Sequence, residues 1–213
     1  MSSHTVATRE PLAVRSRGYL NYLDRWFETR REETIASIVA RAGGPGNVAV
    51  VSVDLIVGFC HSGPLSSQRV AGILPAVRDL LTTAHDAGLR HIVLTQDTHR
   101  EDAEEFGSYP PHCVRGTAEA ETVQELASLP FADMFSVIEK NSISSVIEPA
   151  FVEWDERNGP FAAYIVVGDC TDLCVYQAAM ALKTRSLTHH RGQRIIVPID
   201  CVQTYDMPVE TAV

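Results

Sequence analysis

Long hydrophobic runs are missing from this sequence. The longest apolar stretch, residues 47–60, is broken by Ser52 and Asp54 and is too short to span a bilayer. The opening Met-Ser-Ser-His-Thr leads into Arg, Glu and apolar residues in alternation, with no apolar core of signal-peptide type. A soluble cytoplasmic protein is the expectation. Positive charge is also short, with 18 Lys and Arg against 27 Asp and Glu for a net charge of −9. Nucleic acid and anionic membranes are therefore not expected as partners, although local basic patches stay open. Paired cysteines are lacking too. The five, at positions 60, 113, 170, 174 and 201, are an odd and scattered set, which argues against a secreted disulfide framework and for a reducing compartment. No internal repeat or low-complexity block occurs. What remains is ordinary globular material: 213 residues, 45% hydrophobic and 21% charged, enough for one α/β domain with a short appendage.

Residues 1–18 are polar and read as irregular and loosely held. In 19–42, Leu20, Leu23, Phe27, Ile35, Ile38 and Val39 recur at helical spacing, until Gly43-Gly44-Pro45-Gly46 ends the pattern. Residues 1–46 thus read as a partly helical extension, and 47–213 as the main domain. The extension serves either plain packing or a lid or subunit contact. From Val48 the pattern alternates. Strands are expected at 48–53, 91–95, 134–138, 164–167 and 194–199, and helices at 68–87, 119–128 and 173–189. Continuous apolar strands between amphipathic helices predict a parallel sheet sandwiched by helices, in three Rossmann-like layers.

Ligands of such sheets bind beyond the carboxyl ends of the strands. Asp54, Asp97, His99, Lys140 and the segment 169–174 all fall at those ends. Cys174 lies in Gly-Asp-Cys-Thr-Asp-Leu-Cys-Val, at the expected start of a helix. There the helix dipole favours a thiolate and free N–H groups suit an oxyanion. A buried, inert cysteine is the competing reading. Asp54 could shuttle a proton and Lys140 could hold the charges of both. Asp97-x-His99, followed by His112 behind a Pro-Pro pair, offers two imidazoles and a carboxylate, a donor set for Zn²⁺, Fe²⁺ or Mn²⁺. A rival zinc site from Cys113, Cys170 and Cys174 lacks the usual C-x2-C pairs.

Five segments in this order resemble the isochorismatase-like cysteine hydrolases, and among them the nicotinamidases. They are Val-Ser-Val-Asp54-Leu-Ile-Val-Gly-Phe59; Thr95-Gln-Asp97-Thr-His99; Tyr109-Pro-Pro-His112-Cys-Val-Arg-Gly-Thr117; Glu139-Lys140; and Gly168-Asp-Cys-Thr-Asp-Leu-Cys174-Val175. The resemblance implies an Asp54–Lys140–Cys174 triad with Cys174 as nucleophile. It implies an oxyanion hole at the N–H groups of Cys170 and Cys174, and a cis peptide between Asp169 and Cys170. It implies one divalent metal ion, zinc first, on Asp97, His99 and His112. Some members add a Glu seven residues before the second His, which marks Glu105 as a fourth candidate. Phe59 and Tyr109 match the aromatic residues that sandwich a pyridine ring. Ile143 stands where a Tyr is common and Ile56 where a Gln is common, so the pocket wall is recut. A homo-oligomer is implied, as is a helix after the last strand, for which little chain remains before Val213.

The expected activity is metal-assisted hydrolysis of a small amide through a Cys thioester, with nicotinamide the first substrate. The alternatives are another small carboxamide or carbamoyl substrate, a non-catalytic small-molecule binding protein, and a redox sensor using Cys170 and Cys174.

Overall fold

The computed structural model describes residues 10–206. They fall into two compact units, one ending at Thr34 and the other beginning at Ile35. The first unit holds helices α1 (Leu12–Arg15) and α2 (Arg17–Glu28). Order thus begins earlier than the polar composition suggests, because the Pro11 carbonyl accepts from the backbone N–H groups of Val14 and Arg15. The helix read over 19–42 is two helices. α2 stops where the Thr29 hydroxyl donates to the Trp26 carbonyl and the Arg30 guanidinium to that of Phe27. These side chains satisfy carbonyls that a continuing helix would have used.

The second unit opens with α3 (Ile35–Ala42), which buries Ile38 in its core. Then come β1 (Val48–Val53), α4 (Val57–Cys60), α5 (Gln68–Ala71), α6 (Leu74–Asp86) and β2 (His91–Asp97). They are followed by α7 (Gln124–Ala127), β3 (Ser136–Lys140), α8 (Pro149–Asn158) and β4 (Ala163–Asp169). The series ends with α9 (Cys174–Thr188), β5 (Arg194–Ile196) and β6 (Val202–Gln203). The strands form a six-stranded parallel sheet in the order β3-β2-β1-β4-β5, with β6 joining the far end of β4.

Every residue of β1 and β4 is buried, which explains why both are rich in valine and isoleucine rather than alternating with polar residues. One face of the sheet packs against Leu74, Val77, Leu81 and Ala84 of α6. The other packs against Val175, Ala178 and Leu182 of α9 and Phe151 and Trp154 of α8. Each of the larger aliphatic side chains contributes about 1.5–3 kcal/mol by leaving water.

The register sets the height of the site. Val53 pairs with Thr95 on one side and Gly168 on the other, and Asp97 pairs with Lys140. Asp54, Asp97, Lys140 and Asp169 therefore reach one rim. Gly168 has a φ of 113°, and a Cβ there would lie 1.9 Å from the Val53 carbonyl oxygen. Only glycine lets the two central strands meet so closely at that rim. Among the described residues no helix is long and apolar enough to cross a membrane. The expected helix after the last strand falls outside the described residues.

Candidate active site

Asp54 leaves β1 with a φ of 54°, a left-handed conformation unusual outside glycine. That bend turns its carboxylate back over the sheet, where Oδ1 accepts from the Asp97 backbone N–H at 2.8 Å. Lys140 rises from the end of β3 and is 1% exposed. Its Nζ lies 2.9 Å from Asp54 Oδ2 and 3.6 Å from Cys174 Sγ. It also donates to Asp97 Oδ1 and, at 3.1 Å, to the Ser142 carbonyl. One ammonium thus holds two carboxylates and faces the sulfur. Ligand atoms of Asp54, Asp97 and Cys174 lie within 4.8 Å of one another.

Burial and the neighbouring Asp97 push the Asp54 carboxyl up to about 7, against the pull of Lys140. Burial disfavours the Lys140 ammonium, but Asp54 and Asp97 outweigh it and hold its pKa well above the lysine range. Burial pushes the Cys174 thiol well up, against the pull of Lys140. The helix start and the Lys140 ammonium favour a thiolate, and burial opposes it. Cys174 is the first residue of α9 and yet 5% exposed. Desolvation thus opposes the dipole at this sulfur, with the Asp54 carboxylate close by. The Asp169–Cys170 peptide is cis.

Asp97, His99 and His112 form a second, adjoining cluster, all buried, with ligand atoms within 4.8 Å of one another. His112 Nδ1 lies 2.8 Å from the Pro110 carbonyl oxygen, which can only accept. Nδ1 is therefore the donor to that carbonyl, which leaves Nε2 as the nitrogen that could ligate. Neither ring nitrogen of His99 makes a hydrogen bond among the described residues, and Nε2 stands 3.5 Å from Asp97 Oδ1. Orphaned imidazole nitrogens beside a buried carboxylate are the donor set of a divalent cation. Glu105 lines the same cleft but is not part of that cluster. The rival Cys113, Cys170 and Cys174 set does not come together as a cluster among the described residues, and all five cysteines are free.

Phe59 and Tyr109 flank His112, with ring centroids 5.7 and 6.2 Å from it. Both line the cleft, as does Ile143. Ile56 does not: its backbone pairs with Thr122, and it is fully buried in the core. Other wall residues escaped the sequence reading. Leu65, Leu173 and Tyr205 complete the cleft, and Phe106 sits edge-on to both His99 and His112. Leu173 precedes Cys174 in its motif, whereas nothing local marks Leu65, Phe106 and Tyr205, which the folded loops bring in. Asp169 also lines the cleft.

The Isochorismatase domain model matches residues 48–212. A nicotinamidase/pyrazinamidase of Mycobacterium tuberculosis is 31% identical over 155 residues, covering 62% of this chain and 76% of that protein. The zinc complex of a pyrazinamidase from Pyrococcus horikoshii superposes with a TM-score of 0.63 at 25% identity, over 75% of this chain and 88% of that one. An N-carbamoylsarcosine amidase from Thermoplasma acidophilum gives a TM-score of 0.64 at 25% identity, over 76% and 87%. The parallel sheet, the polar rim above it and a domain match spanning most of the sequence lead to one assignment: the chain belongs to the isochorismatase family of hydrolases, on its amidohydrolase side.

Proposed function

We propose that this protein hydrolyses nicotinamide to nicotinate and ammonia through a thioester on Cys174. The observation that carries the reading is Lys140 Nζ, 2.9 Å from Asp54 and 3.6 Å from the Cys174 sulfur at the head of a helix. In the first stage the Cys174 thiol gives its proton to Asp54 as the sulfur bonds to the carboxamide carbon. The C=O electron pair moves onto oxygen, which meets the N–H groups of Cys170 and Cys174. Asp54 then returns the proton to the departing nitrogen, ammonia leaves and the thioester remains. In the second stage Asp54 takes a proton from water, whose oxygen attacks the thioester carbon. The C–S bond breaks, nicotinate leaves and Cys174 recovers its proton. Lys140 stays charged throughout and balances Asp54 and Asp97.

Phe59 and Tyr109 hold the flat ring by offset stacking, and Ile143 closes the wall where a hydroxyl is common. Asp97, His99 and His112, with Glu105 within the same cleft, would hold a zinc ion. When bound, such an ion supplies Lewis-acid charge for a ring nitrogen or a water. A cytoplasmic homo-oligomer acting on a small molecule is the setting we propose.

The test is ammonia release from nicotinamide by protein of known metal content. Release that Cys174→Ala abolishes supports the reading. No release from nicotinamide, with release from a ureido compound, transfers the reaction to a carbamoyl substrate. That second reading is favoured by the likeness to N-carbamoylsarcosine amidase and by Ile143 in the wall.

A further inference from the structure

Asp169 is the last residue of β4, directly before the cis peptide, and is 0% exposed. Its Oδ2 receives only the weak thiol S–H of Cys170, at 3.7 Å. Its Oδ1 is buried and has no hydrogen-bond partner among the described residues. A buried carboxyl oxygen left unpaired costs about 1–3 kcal/mol or more, so such atoms are normally satisfied. Asp169 is among the residues that line the cleft. In the proposed reaction the leaving nitrogen is served by Asp54, so the Asp169 oxygen is left for a donor elsewhere on the substrate. Neither step of the proposed reaction uses Asp169.

We infer that Asp169 is a specificity-determining residue whose free Oδ1 accepts a hydrogen bond from an N–H donor on the body of the substrate, apart from the leaving NH2. The inference rests on the proposed function for the identity of the cleft. It holds for either state of the carboxyl, since Oδ1 offers a lone pair in both. The ligand class is a flat carboxamide whose ring carries an amino group or a ring N–H. Plain nicotinamide leaves the oxygen unpaired, and a substrate with the extra donor satisfies it.

The experiment measures dissociation constants by calorimetry for nicotinamide and its 2-, 4-, 5- and 6-amino derivatives. The full-length Cys174→Ala protein serves as background, so turnover does not interfere. At least one amino derivative is expected to bind tenfold or more tightly than nicotinamide. Asp169→Leu, close in size, should bring that ratio within twofold, and Asp169→Asn, which keeps an acceptor, should retain most of it. If the leucine variant does not fold, Asp169→Ala is measured in the same way. No derivative binding more tightly, or a preference that survives loss of the carboxyl, overturns the inference. Ammonia release by the Cys174-intact enzyme is scored separately. Asp169-dependent binding without ammonia from any amide defeats the proposed function alone. Ammonia from nicotinamide with no Asp169 dependence defeats this inference alone.

Discussion

The body of the sheet and its upper rim obey opposite rules. From Val48 to Val53, β1 buries six residues without a charge, and β4 is equally dry from Ala163 to Val167. A residue or two beyond, Asp54, Asp97, Lys140 and Asp169 are buried together, with His99 and His112 alongside. The body gains stability from each side chain it hides. The rim pays desolvation for every charge and recovers it only through partners. Stability and chemistry thus occupy adjacent layers of one set of strands, and substitutions in the two should separate cleanly.

The largest separation is expected at the sulfur. Cys174→Ala should reduce ammonia release by about 10³-fold or more while leaving the fold in place, because it removes the proposed nucleophile and only a few buried atoms. A steady-state assay beside a circular dichroism melt checks both halves. Lys140→Met should damage the two layers at once. It strands two buried carboxylates, and breaking a buried ion pair in this way costs about 3–5 kcal/mol. A fall in the denaturant midpoint together with lost turnover is the expected result, and an unshifted midpoint would break the contrast. His99→Ala should leave bound metal, read by elemental analysis, at least about tenfold lower while Cys174 still reacts with iodoacetamide. Loss of metal without loss of the reactive sulfur would mark the two clusters as separable. At the small end, Ile165→Val in β4 should cost about 0.5–1.5 kcal/mol and leave kcat/KM unchanged. A large change in turnover from that substitution would mean that the layers are coupled.

The body was more legible in the sequence than the rim's surroundings. β-Branched runs located β1, β2 and β4, and strand ends located Asp54, Asp97, His99, Lys140 and Cys174. β3 runs over 136–140 rather than 134–138, because its pairing with β2 carries the ladder on to Asp97 and Lys140. β5 ends at Ile196, two residues before Pro198, which has no N–H to give the ladder. The helix expected at 119–128 shrinks to α7 and a single 3-10 turn at Ala118–Ala120. Its middle is claimed by tertiary bonds: Val57 N–H donates to the Glu121 carbonyl, and Ile56 bridges Thr122. α8 gave no periodic signal, although Pro149 at its first position marks its start and Phe151 and Trp154 anchor it. Tyr205, Leu65 and Phe106 reach the cleft through loops, and no local spacing encodes a loop's path.

Lys140 gives the molecule a shared hinge of charge. In the proposed reaction a single nitrogen answers to the acid-base partner of Cys174 and to Asp97, a proposed ligand of the cation, so neither chemistry can be retuned alone. A designer who wished to swap the ion, or to dispense with it, would also be resetting the reactivity of the sulfur. Drift at either site would be felt by the other, and the simplest way to change what the enzyme accepts is to alter the walls and leave this junction untouched.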